Sequence, residues 1–251
     1  MAVLAAAVCP HPPLLVPAVS AGAAPEFDAL RITCLDVVSR LVDHVPDVVV
    51  VVGHSPSPVD ADETAAGSLA GFGIDVQVGA AGPTGGPSLP LALVIGAWLL
   101  DQADWTGRRR YVGVPDTTTS DDAAALGAGL ADGDDRIVVL VMGDGSARRS
   151  TTAPGYLDSR AALFDATVAS ALATADPVAL LALDATLAVD LLAAGRASWQ
   201  VLGGIVRADG AATGRSWTGD LVADVAPYGV GYLVATAYPE PAVGSDRGLQ
   251  A

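Results

Sequence analysis

Two short valine-rich runs limit what this chain can fold into. Residues 47–52 read Asp-Val-Val-Val-Val-Val, and residues 137–142 read Ile-Val-Val-Leu-Val-Met. Neither alternates apolar with polar residues, so each reads as a strand buried on both faces. Strands of that kind belong to parallel sheets covered by helices. Strand-like runs also occupy residues 2–8, 74–78, 110–114, 222–225 and 230–237. Between them, residues 27–41, 89–101, 123–130, 161–175 and 185–194 space their apolar side chains as helices do. Residues 199–205 suit either state; residues 56–71 and 80–86 read as loops, and the tail after Pro239 as loose chain. The alternation predicts an α/β fold: a single domain over residues 1–251, with a mostly parallel central sheet flanked by helices. At 51% hydrophobic and 16% charged residues, the chain has enough apolar material to fill such a core.

The carboxyl ends of neighbouring parallel strands form the working edge of such a sheet. Two of the three histidines fall there. His11 closes the first apolar run in Cys9-Pro10-His11-Pro12-Pro13, and His54 closes the second in Val52-Gly53-His54-Ser55-Pro56. Each taken alone reads as a structural residue; the pair reads as the start of a metal site, with neutral imidazoles as ligands. His44 sits at a predicted helix end, where it suits the dipole. Cys9, two residues before His11, is either a thiolate ligand or a small core residue.

The second valine-type strand runs into Gly143-Asp144-Gly145-Ser146-Ala147-Arg148-Arg149. Asp144 is a candidate base or metal ligand. Ser146 and Arg148 are candidates for holding a substrate, and Arg148 and Arg149 suit a carboxylate or phosphate. The other reading is an Asp-Gly turn with solvated arginines. Arg108-Arg109-Arg110 reads as a solvated charge run. The late carboxylates Asp209, Asp220, Asp224 and Glu240 each suit the third position of a two-histidine, one-carboxylate facial triad. Spacing does not choose among them; Asp224, just ahead of the last strand, stands for them in the candidate site.

Several classes of function are excluded. A net charge of −15 argues against nucleic acid or an anionic membrane as partner. No lysine occurs, so Schiff-base catalysis is impossible, and the glycine loop lacks the Gly-Lys-Ser/Thr ending of a phosphate-binding P-loop. Gly53-His54-Ser55-Pro56-Ser57 resembles the opening of a nucleophile elbow, but that elbow needs a later histidine and none follows His54. Two cysteines make no disulfide framework and fit a reduced, cytoplasmic protein. The apolar N-terminus lacks a basic region and reads as a first strand, not a signal peptide.

Taken in order, these stretches resemble the class III extradiol ring-cleavage dioxygenases, the group of the protocatechuate dioxygenase catalytic subunit, and the related Memo-like proteins. The resemblance rests on His11-Pro12-Pro13, on Gly53-His54-Ser55, on Val114-Pro115 before a helix with Ala124, Leu126 and Gly127, and on Tyr228-Gly229-Val230-Gly231-Tyr232. It implies that fold. It also implies Fe(II) as the divalent metal, held by His11, His54 and a later carboxylate, with Zn(II) as the alternative. The activity implied is non-haem ring cleavage of a small aromatic diol. Memo-like relatives use a late cysteine and a further histidine, both absent here. Family members often form dimers or work with a small second subunit, so a homodimer is one implied assembly. The family's catalytic histidine follows a serine after a mid-chain strand; here Ala147 follows Ser146. Three readings therefore stand: a dioxygenase-like enzyme of altered or lost activity, a non-catalytic metal- or ligand-binding protein of the same fold, and a zinc-dependent hydrolase.

Overall fold

The computed structural model, which describes residues 2–20, 25–79 and 88–241, makes the two valine-type runs adjacent central strands. Among the described residues the strands are β1 (Ala2–Cys9), β2 (Val48–His54), β3 (Val59–Asp62), β4 (Ala66–Ser68), β5 (Gln77–Gly79), β6 (Arg108–Val114), β7 (Arg136–Met142), β8 (Trp217–Val225) and β9 (Tyr232–Pro239). The helices are α1 (Pro17–Ser20), α2 (Glu26–Val42), α3 (Leu91–Gln102), α4 (Ser120–Ala131), α5 (Ala161–Ala173), α6 (Pro177–Leu181), α7 (Ala185–Asp190) and α8 (Arg196–Thr213). Seven strands form one mixed sheet in the order β3-β6-β2-β7-β1-β9-β8, and β4 pairs with β5. The four central strands run parallel, while β3 and β9 pair antiparallel with their neighbours at the two sides. The described residues thus form a single α/β domain.

Alternation within each central strand splits the core in two. Val48, Val50 and Val52 of β2 and Val139 and Val141 of β7 face the layer of α4, α5 and α8, with Leu130, Phe164, Trp199 and Leu202. Val49 and Val51, with Leu140 and Met142, face α2 and α3, with Phe27, Leu30, Leu93 and Leu99. Residues Ala92 to Leu100 of α3 are all buried, as befits a helix apolar all round. It lies between the sheet and the small β4–β5 ladder. Close approach of α4 to α8 needs glycine: a Cβ on Gly127 would lie 2.3 Å from the Val201 carbonyl oxygen, and one on Gly204 2.6 Å from that of Ala124.

The path of the chain locates the site. From β1 it passes through α2 to β2 and through α3 to β6, with both helices on one face. It returns through α4 on the other face to β7, between β1 and β2, and leaves through α5 on that same face. The strands on either side of β7 therefore lead to helices on one face, and β7 leads to the other. Such a topological switch opens a crevice beyond the carboxyl ends of the strands.

Some sequence expectations need correction. Residues 56–71 are not merely loop: β3 and β4 lie there. β4, Ala66-Gly67-Ser68, has no apolar pattern of its own, and β3 has only the short alternation Val59-Asp60-Ala61-Asp62. β3 exists because it pairs with β6 and because Arg110 forks onto Asp60 across the pair, both contacts being 2.8 Å. The arginine run is a solvated face only in part: Arg108 is exposed and reaches Asp135 at 3.2 Å, whereas Arg109 is buried and reaches Asp101 at 2.6 Å. The strand expected over 74–78 is β5, at Gln77–Gly79. The helix expected over 185–194 stops at Asp190, because Leu192 turns to φ 55°. Residues 199–205 are helical, inside α8. The glycine- and proline-rich stretch 80–86 and most of the tail after Pro239 lie outside the described residues. No helix among the described residues is long and apolar enough to cross a membrane.

Candidate functional site

His11 emerges from β1 into a stretch stiffened by Pro10, Pro12 and Pro13, with Pro12 in extended backbone. Its main-chain N–H donates to Asp144 Oδ1 at 2.7 Å. Its Nδ1 stands 3.4 Å from the same oxygen, buried and without a hydrogen-bond partner among the described residues. Asp144 reaches this point because Gly143 continues β7 past its last strand residue: Gly143 N–H donates to the Cys9 carbonyl, and the Asp144 carbonyl takes the N–H of Gly195. Asp144 also bridges to Tyr232 at the start of β9. The edge of the sheet thus holds one carboxylate between two strand ends.

Burial is the main influence on both groups, and it acts in opposite senses. It holds the His11 imidazole below its ordinary value, with the nearby His54 adding to the effect and Asp144 opposing it. It lifts the Asp144 carboxyl, against the pull of His11 and its N–H. Burial also lifts the Tyr232 phenol, and the Asp144 charge lifts it further. In both His11 and Asp144, burial favours the uncharged form.

His54 ends β2, and its Nε2 lies 3.2 Å from Asp116 Oδ2, in the loop after β6. It remains about one-third exposed. The two histidines lie close enough to influence one another electrostatically. They nevertheless stand as two separate pairs, His11 with Asp144 and His54 with Asp116. Among the described residues, no three His, Cys, Asp or Glu side chains gather into a group that could hold a metal ion.

The glycine loop does different work from that expected. Ser146 is fully buried; its Oγ donates to the Leu191 carbonyl at 2.9 Å and accepts from the Arg148 N–H at 3.1 Å. Its hydroxyl is a strut of the loop rather than a free substrate contact. Arg149 is paired with Asp165 at 2.8 Å, and Asp165 also accepts the Ser146 N–H at 2.8 Å. Arg148 is partly exposed and keeps a buried Nε without a partner among the described residues. The loop is closed by Gly145 N–H to the Gly231 carbonyl and Gly231 N–H to the Ser146 carbonyl. Asp165 packs against both glycines so tightly that a Cβ on Gly231 would meet it at 2.1 Å.

Asp224 is not brought to the histidines. It lies exposed on β8, opposite Leu233 of β9, two strands away from β1. Its charge helps to raise the Asp165 carboxyl. The acids beside the histidines are Asp144 and Asp116. Cys9 is spent on Cys34, a buried thiol contact that raises it well above its ordinary value. His44 is exposed, with its ring 5.8 Å from that of Tyr238, away from the crevice.

Sequence reasoning passed over Asp116 and Asp165. Asp116 had one signal, its place just after a third parallel strand. Asp165 had another, a carboxylate within the buried stripe of Ala161, Phe164, Val168 and Leu172 on α5.

No family model matches the chain, and no curated protein matches it. Among solved structures, it is similar to that of an uncharacterized protein from Escherichia coli K12, with a TM-score of 0.54 at 13% identity, over 94% of this chain and 99% of the other. At that identity the likeness is one of fold alone.

Proposed function

We propose that this protein is a metal-dependent, extradiol dioxygenase-like protein whose site is the crevice beyond β7. His11 and His54 supply its two imidazoles and Asp144 its nearest carboxylate. One observation carries the reading: His11 Nδ1 is buried and makes no hydrogen bond among the described residues, although Asp144 Oδ1 stands 3.4 Å away and His54 lies within electrostatic reach. A buried nitrogen of that kind normally has a partner.

The donors suit a divalent transition ion in kind, two imidazoles with a carboxylate alongside. Their arrangement sets a condition, because His54 must leave Asp116 to share an ion with His11. Bound Fe(II) would supply coordination sites for a catechol and for O₂. This chain's own residues would do the rest. The His11 amide fixes Asp144, prolines fix His11, and the Asp165 strut holds the glycine loop as one wall of the crevice.

A second reading, a binding protein of the same fold without turnover, is favoured by Ala147. Its N–H goes to the Leu191 carbonyl and its own carbonyl takes the Gly155 N–H, so the loop is locked with no proton-carrying side chain at that position. Metal analysis of protein purified without added metal tests both readings. About one ion per chain is expected, lost in His11→Ala and in His54→Ala while the fold persists. Iron supports the oxygenase, zinc a hydrolase. Retention of stoichiometric metal by the double variant refutes the site. Oxygen uptake with simple catechols is expected to be slow or absent, and rapid uptake with protocatechuate would show that Ala147 does not limit the chemistry.

A further inference from the structure

Beside Asp116 lies a cavity of about 250 Å³, lined by Asp116, Val189, Leu192, Ala193, Ala194 and Arg196. Its wall is mainly aliphatic. Val189 and Leu192 are about half exposed and form its rim. Arg196, the first residue of α8, is 2% exposed. Its three hydrogen bonds all go to neutral acceptors: Nη1 donates to the Thr118 carbonyl at 2.6 Å and to Gln200 Oε1 at 2.8 Å, and Nη2 to the Asp116 carbonyl. Among the described residues it forms no ion pair. The Asp116 carboxylate, the charged group nearest at hand, is turned to His54 at 3.2 Å.

A buried guanidinium whose hydrogen bonds all go to neutral acceptors, with its nearest carboxylate acting only from a distance, is an arrangement that proteins rarely keep. The start of α8 adds to it. Its cap is Gly195, no side chain caps its first turn, and the helix runs for 18 residues with its positive end at this cavity. The cavity therefore joins Arg196 and the start of α8 to an apolar wall and lies next to the His54–Asp116 pair.

We propose that this cavity binds a small carboxylate with an apolar body. The carboxylate would lie towards Arg196 and the body along Leu192 and Val189. A single negative charge fits better than a phosphate dianion, because Asp116 lines the same space. The subsite shares Asp116 with the crevice described above but needs no metal, so it stands or falls separately from the metal reading.

Benzoate is the probe and benzamide its neutral counterpart. Both are titrated into chelator-treated, full-length protein while amide shifts are followed by NMR. Benzoate is expected to shift the amides of Leu192, Ala193, Ala194 and Arg196, and benzamide to bind about tenfold more weakly or less. Arg196→Met is expected to abolish binding, but it also strips the loop at Asp116 and Thr118 of its donors. Val189→Glu, at a half-exposed rim position, is the variant that spares the fold, and it is expected to weaken benzoate about tenfold or more by like-charge repulsion. Ile32→Glu, on α2 at the opposite face, controls for net charge and is expected to leave binding unchanged. Equal binding of benzamide, undiminished binding in Val189→Glu, or no shift at these amides with benzoate would each overturn the proposal.

Discussion

Asp165 illustrates how one carboxylate can organise a site it does not enter. It accepts from the Ser146 amide and from Arg149, and it fills the space that Gly145 and Gly231 leave open. Truncation strands a buried amide and a partly buried guanidinium at once. Asp165→Ala is therefore expected to lower unfolding stability by about 3 kcal/mol, the range for breaking a buried pair reduced a little for the exposure of Arg149. Urea denaturation measures this. A loss under about 1 kcal/mol would mean that the loop is held from elsewhere. At the same scale, the histidines were legible in the sequence because each ends an apolar run. Asp224 was misjudged for a reason no spacing reveals: β8 lies at the edge of the sheet, two strands away from β1.

Elements whose stability lies in their own side chains were the legible ones. β2 and β7 are built from valine, isoleucine and leucine, and their positions followed from that alone. α4 was marked by Thr119, whose hydroxyl accepts the Asp122 N–H. β3 was not legible, because its stability comes from a partner fifty positions away in the chain. The Arg110 guanidinium holds the Asp60 carboxyl below its ordinary value of 3.8. A depressed carboxyl contributes stability that is present above its unfolded value and lost as pH falls through the folded one. Hydrogen exchange at Asp60–Asp62, corrected for the intrinsic pH dependence of amide exchange, is thus expected to accelerate as pH drops below about 4, with β2 and β7 unaffected, and Asp60→Asn is expected to weaken that dependence, the rest coming from Asp62, which Thr64 holds down. Uniform acceleration across the sheet would contradict the assignment. The contact of α4 with α8 gives a second test at this scale. Gly204→Val forces side-chain atoms into the Ala124 backbone and is expected to cost about 3 kcal/mol or more, well beyond the loss from helix propensity. A thermal midpoint within a degree or two of wild type would show that the helices simply move apart.

For the whole molecule, the order of the strands matters more than any motif. Inserting β7 between β1 and β2 places Asp144 beside His11 and brings His54 within electrostatic reach, 43 positions along the chain from it. The composition and alternation of the sequence announced an α/β sheet with a working edge. They did not announce which strands would be neighbours, and so they did not reveal that Asp144 and Asp116 would each claim one histidine. Pairing is settled by long-range packing, which local pattern does not encode. The same topology puts the cavity at Arg196 next to the crevice, because α8 begins where the loops after β6 and β7 meet it. The central claim is that the two rings share one ion, and ring-nitrogen NMR during a zinc titration tests it most directly. The account predicts that the His11 and His54 ring nitrogens shift together and saturate at about one equivalent, with His44 unchanged. Shifts confined to one of the two rings, or saturation at different equivalents, would contradict it.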